Sequence, residues 1–197
     1  MDGQKFNPAN IFPADLPLLV FSDNTSGLIE FFIKFCTKGD YNHVMWANRP
    51  GYFASQGNTY SEAPLSRYLK RGNRLKYVEV IGLTPAQKQL IKASINKKLA
   101  LPWYRKMYDW LGILGQAINV KRINTPWLDY CSEDVPQHLK FVAQYLQDDD
   151  LKKKVFLGIP YHLSPQGLNE YTKKYPEVFR TYGKWEADDD PVSRKCP

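Results

Sequence analysis

The sequence predicts an α+β fold in which an antiparallel sheet packs against helices. Three observations point to it. Strand-like and helix-like patterns are segregated rather than strictly alternating: strand, helix, hairpin and strand come first, and helices follow. Two runs of strand character, "YNHVMWA" (41–47) and "GYFASQG" (51–57), flank "NRPG", which has turn chemistry and makes them a hairpin. A length of 197 residues, 43% of them hydrophobic, is enough for one domain with a real core. That domain is placed at 1–183, and the polar stretch 184–197 reads as a flexible tail.

The elements follow in order. Residues 1–16 are rich in Pro, Asn and Asp and read as an irregular lead-in. "LPLLVFS" (16–22) is a short apolar run ending in turn residues, hence a buried strand. In the next segment Leu28, Ile29, Phe32, Ile33 and Phe35 recur at helical spacing, with Gly39 past the end. After the hairpin, "APLSRYLKRG" fits one helical turn, and "RLKYVEVIGL" (74–83) alternates as a strand should. Thr84, Pro85 and Gln87 form a capping box with proline at the first helical position, opening a helix to about Leu99. The segment 102–118 is aromatic-rich. A further helix follows Cys131 and carries Leu139, Phe141, Val142 and Tyr145. "DDDLKKK" (148–154) reads as a solvated loop, and Ser164 with Pro165 starts a last helix.

The formal charge of +7 and pI near 9.2 suit anionic partners without naming one. No groove-reading motif accompanies the charge, so no specific nucleic-acid partner is expected. No apolar run approaches the ~18 residues that span a bilayer, and the N-terminus lacks a signal-peptide pattern. A cytoplasmic protein is expected, with surface contact to a membrane left open. Cys36, Cys131 and Cys196 are odd in number and scattered, against a disulfide framework. Neither a metal nor an organic cofactor is expected, since no Cys/His pairing has zinc spacing.

Chemistry concentrates at "LDYCSEDVP" (128–136). A thiol attacks carbonyls as thiolate, which a helix N-terminus and a nearby imidazolium both favour. Cys131 has the first device if a helix begins there. Among His43, His138 and His162, His43 is the natural base, because it sits on a short strand beside a turn. His138 lies seven residues on, ~10 Å along a helix and too far for direct contact with Cys131. His162 lies in a loop before a helix. If Ala47 pairs with Tyr52 across the turn, Gln56 opposes His43 and can orient its ring; an odd turn brings in Ser55 instead. Pro136 allows two readings: a helix from Cys131 interrupted about one turn in, or a helix beginning near Asp134–Pro136.

The pieces "YNHVMWANRPGYFASQG", "APLSRYL", "LTPAQKQLIKASINKKLALPWY", "DYCSE" and "LSPQGL", in this order, resemble the circularly permuted papain-like hydrolases of the YiiX-like branch of the NlpC superfamily. The likeness spans roughly residues 16–170. It implies a permuted papain-like fold and hydrolysis of an amide, ester or thioester, with Cys131 as nucleophile and His43 as base. Peptide, peptidoglycan or lipid-like acyl compounds are the implied substrates, and acyl transfer is a close variant through the lecithin retinol acyltransferase relatives. The family's orienting residue is often Glu, where this chain offers Gln56 or Ser55. That departure favours an alternative, a non-catalytic relative that binds an anionic lipid or another polymer.

Blander assignments cover the rest. Cys36 reads as core and Cys196 as an exposed bystander. Glu133 and Asp134 read as complements to a helix dipole. The aromatic set Trp103, Tyr104, Tyr108 and Trp110 reads as core. The cluster Arg67, Lys70, Arg71, Arg74 and Lys76 reads as a solvated basic face.

Overall fold

A strand with no exposed residue has to lie inside a sheet, and "LLVFSD" is such a strand. In a computed structural model, which describes residues 6–23, 39–56, 59–70, 72–107, 131–161 and 163–187, it forms β1 (Leu18–Asp23), buried at all six positions. Around it are β2 (His43–Arg49), β3 (Tyr52–Gln56), β4 (Tyr60–Pro64), β5 (Arg74–Val80) and β6 (Phe179–Glu186). They form one six-stranded sheet in the order β4-β3-β2-β1-β5-β6, with every neighbouring pair antiparallel. The four described helices are α1 (Pro85–Leu99), α2 (Cys131–Ala143), α3 (Leu151–Gly158) and α4 (Pro165–Lys174). The α+β expectation therefore holds. The helix expected to carry Leu28 to Phe35 and end before Gly39, the part of the segment 102–118 from residue 108 onward, and the residues from 188 onward lie outside the described residues.

Side chains alternate across a strand, so β1 and β2 each feed two cores. Leu19, Phe21, Val44, Trp46, Ala54 and Val78 face one way and pack with Ile91, Ile95, Val135, Leu139, Val142 and Phe156 of the helices. Leu18, Val20, Met45, Ala47, Phe53 and Tyr77 face the other way, covered by Leu65, Tyr68 and Phe6. Helix α2 is amphipathic and lies over β2 and β3 through the first of these faces.

Local signals are realised where a side chain satisfies a backbone group. Thr84 Oγ1 accepts from the Gln87 N–H, and the Gln87 side chain accepts from the Thr84 N–H, completing the capping box. Ser164 Oγ accepts from the Gly167 N–H at the start of α4. The single turn expected after β4 is a 3-10 turn at Leu65–Arg67.

Three expectations are corrected. "DDDLKKK" is a loop only in its first three residues: Asp150 caps α3 by accepting from the Lys152 N–H, and Val155 and Phe156 bury the apolar face. A short helix with only two buried residues leaves charge as its main surface pattern, which mimics a loop. Strands β4 and β6 were not expected, because both are edge strands with little apolar alternation. The tail assigned from 184 also begins too early, since Lys184, Trp185 and Glu186 pair with Lys76, Leu75 and Arg74.

The cap carries a measurable share of α3. Asp150→Ala is expected to destabilise the protein by about 1 kcal/mol in urea unfolding, and Asp150→Ser to recover most of it.

Candidate functional site

Of the two readings of Pro136, the structure takes the first: α2 runs from Cys131 with the proline inside it. Proline has no N–H for the carbonyl four residues back, so the first turn needs fixing from elsewhere. A buried polar chain supplies the fixing. Asp134 is buried, and its Oδ1 accepts from Lys98 Nζ at 2.9 Å and His138 Nε2 at 3.0 Å. His138 Nδ1 lies 2.8 Å from Ser94 Oγ, and Tyr60 OH lies 3.4 Å from Nε2. With Nε2 donating to the carboxylate, Nδ1 accepts from the Ser94 hydroxyl in the neutral ring and donates to it in the imidazolium. Lys98 Nζ also sits 4.7 Å over the Tyr60 ring, and Trp46 meets the His138 ring edge-on at 6.2 Å. Burial alone would raise the Asp134 carboxyl. The charges of His138 and Lys98, with their hydrogen bonds, hold it well below the ordinary carboxylate range.

Ser94, His138 and Asp134 thus stand in series as hydroxyl, imidazole and carboxylate. Ser94, however, lies in the interior of α1, where backbone N–H groups are spent on the helix ladder and cannot receive an oxyanion. The chain is a clamp joining α1, α2 and β4. Asp134 is therefore more than a dipole complement, and Glu133 is likewise buried.

His43 is the first residue of β2 and pairs with Ser22 of β1. Burial pushes its imidazole down to about 4; the positive Arg67 adds to this and Asp134 opposes it. The ring is therefore neutral at physiological pH and within electrostatic range of Asp134, in the first turn that Cys131 opens. By the alternation of β2, His43 has the parity of Met45 and Ala47, while Val44 and Trp46 lie under α2.

The expected hairpin register is corrected. Ala47 pairs with Phe53, not Tyr52, and Arg49 pairs with Tyr52 around a bulge at Asn48. The turn is the two-residue Pro50-Gly51, with Gly51 at φ +72°. Continuing the Trp46–Ala54 ladder places Val44 opposite Gln56 and Met45 opposite Ser55, so Ser55 shares the face of His43 and Gln56 does not. The Gln56 amide donates instead to the Lys106 carbonyl at 2.7 Å, and its Oε1 is buried with no partner among the described residues. A bulge leaves no mark in "ANRPGY" that composition can reveal.

Other assignments shift as well. Trp103 and Tyr104 are exposed rather than core, at 67% and 58%. In the basic cluster, Arg74 bonds buried Asp23 at 2.7 Å and Lys76 is itself buried, so the face is only partly solvated. The Cys131 side chain, Cys36, Cys196, His162, Arg71, Tyr108 and Trp110 lie outside the described residues. Among the described residues no group of three or more His, Cys, Asp or Glu could hold a metal ion. No protein-family model, curated protein or solved structure matches the chain.

Removing the shared carboxylate should loosen the whole clamp. Asp134→Ala is expected to destabilise by about 3–5 kcal/mol in chemical denaturation, because two buried donors lose their acceptor. A histidine whose folded value is depressed contributes stability that is complete above its unfolded value of 6.5. That contribution is lost as pH falls through about 4. Stability should drop by on the order of 2–3 kcal/mol across that window, above the range where Asp134 protonates, and His43→Gln should flatten the drop.

Proposed function

We propose that the chain is a cysteine hydrolase of permuted papain-like architecture, acting on amide, ester or thioester bonds. The observation that supports it most is the position of Cys131 as first residue of α2, one turn before an aspartate electrostatically coupled to His43. The helix N-terminus favours a thiolate. The Asp134 charge, which would disfavour it, is compensated by Lys98.

In the proposed reaction His43 removes the Cys131 proton and the sulfur bonds to the substrate carbonyl carbon. Backbone N–H groups of the first turn of α2 receive the oxyanion. The imidazolium returns its proton to the leaving nitrogen, oxygen or sulfur as that bond breaks, leaving an acyl-enzyme. Water then attacks, giving its proton to His43, and the thiol is regenerated. Ser55, on the parity of His43, is better placed than Gln56 to orient the ring, since the Gln56 N–H is committed to Lys106. A peptide, a peptidoglycan cross-link or a lipid-like acyl group would be the substrate, and an acceptor other than water would make the enzyme an acyltransferase. No described helix is long and apolar enough to cross a membrane, which leaves such a substrate to be met at the protein surface.

One observation favours the non-catalytic reading. His43 has the parity of the sheet face away from α2, so the ring has to reach past the strand end to meet Cys131. Iodoacetamide labelling as a function of pH, read site by site, separates the two. The hydrolase requires Cys131 to label fast at neutral pH, at least tenfold faster than Cys196, and to slow several-fold in His43→Ala. Equal labelling of the two thiols, or no effect of His43→Ala, would leave the binding module as the better reading.

A further inference from the structure

Lysine is almost never buried without an ionic partner. Lys76 of β5 is buried, at 5% exposure, and its only hydrogen-bond partner among the described residues is a neutral amide, Asn169 Oδ1 of α4 at 2.7 Å. The Lys76 ammonium lies 5.7 Å from the centre of the Phe21 ring, which adds little in place of a counter-charge. The one carboxylate in electrostatic range of Lys76 among the described residues, Glu170, is already bonded by Gln166 Nε2 at 2.7 Å and Lys173 Nζ at 2.8 Å.

The surroundings add positive charge. Lys184 is the direct cross-strand partner of Lys76 on β6, and like charges so placed repel. Lys173 of α4 is also in electrostatic range. Burial, then Lys173 and Lys184, push the Lys76 amine down to about 8. The amide orientation of Asn169 is settled by chemistry: only its oxygen can accept from an ammonium, so its nitrogen must point elsewhere. That Nδ2 is buried and has no acceptor among the described residues, on a residue 1% exposed. A buried donor without a partner costs about 1–3 kcal/mol. Three lysines and an orphaned amide donor, with the one nearby carboxylate engaged, leave the same vacancy: acceptor oxygens carrying negative charge.

We propose that Lys76, Asn169, Lys173 and Lys184 form a binding site for a phosphoryl oxyanion, set between β5, β6 and α4. Lys76 Nζ and Asn169 Nδ2 would each donate to one phosphate oxygen, and the two exposed lysines would offset the second negative charge. A dianion fits better than a carboxylate because three ammonium groups face one engaged Glu170. The phosphate could be carried by a soluble metabolite or by a lipid headgroup.

The test uses the full chain at fixed ionic strength, with inorganic phosphate as probe and chloride as control. Phosphate is expected to raise the thermal midpoint, and to move the NMR titration of the Lys76 side chain to higher pH, where chloride does neither. Affinity should fall at least tenfold in Lys76→Met. If that variant fails to fold, Lys184→Gln, at an exposed position, should still weaken phosphate several-fold. Vesicles containing phosphatidic acid that bind where phosphatidylcholine vesicles do not, with loss of binding in Lys184→Gln, would assign the phosphate to a headgroup. Binding of free phosphate alone would assign it to a soluble ligand. A phosphate effect no larger than that of chloride, or one unchanged in Lys184→Gln with the Lys76 titration unmoved, would overturn the site.

Discussion

The carboxylate of Asp134 is the point on which the Cys131 end of α2 depends. Proline at 136 removes a rung from the first turn of α2. Among the described contacts, that turn is tied by one oxygen shared by Lys98 from α1 and His138 from the next turn of α2, with Ser94 and Tyr60 closing the far side. Buried ion pairs are poor sources of net stability compared with apolar packing, since both partners lose their water. Their value lies in specifying one arrangement. Here the arrangement specified is the angle at which a helix beginning with cysteine meets β2 and β3.

The clamp also shapes the electrostatics of the first turn of α2. Two acids in a first turn would ordinarily stabilise the helix and destabilise a thiolate beside it. Pairing Asp134 with Lys98 keeps the charge that satisfies the helix end while cancelling most of its field at longer range. His43 senses the remainder: Asp134 opposes, without overcoming, the burial and the Arg67 charge that keep the ring neutral. A neutral imidazole accepts protons, so the state imposed by burial is the one a general base must start from.

How far the sequence could be read depended on how local each cause was. The two proline-led helix starts at Thr84 and Ser164 were legible because the cap, the proline and the bonded N–H lie within four residues. The buried strand "LLVFSD" was legible because burial on both faces leaves a solid apolar run. Edge strands β4 and β6 were not, because their partners supply the pairing and their own residues stay half exposed. The hairpin was found but its register was missed by one residue, since the bulge at Asn48 reflects the fit of two strands and not the type of any residue. His138 was set aside on its distance from Cys131, and its place in the buried polar chain was missed. The i, i+4 spacing of Asp134 and His138 was the available signal for the clamp.

The basic cluster shows the same limit from the other side. Five cations within ten residues look like a solvated face, yet Arg74 and Lys76 belong to a strand, where period two sends alternate side chains to opposite faces. Lys76 therefore shares the parity of Val78 and Val80 and points into the helix-covered core, where a lysine needs a reason to be. Composition registers the charge, but only the pairing of β5 with β1 and β6 shows which cation is trapped and that its cross-strand neighbour is another lysine. A buried amine held by a neutral amide, beside an amide nitrogen with no acceptor, is hard to explain by packing alone: leucine or methionine would fill the same space without the desolvation cost. The polar groups retained there make physical sense as half of an interaction whose other half is an anion.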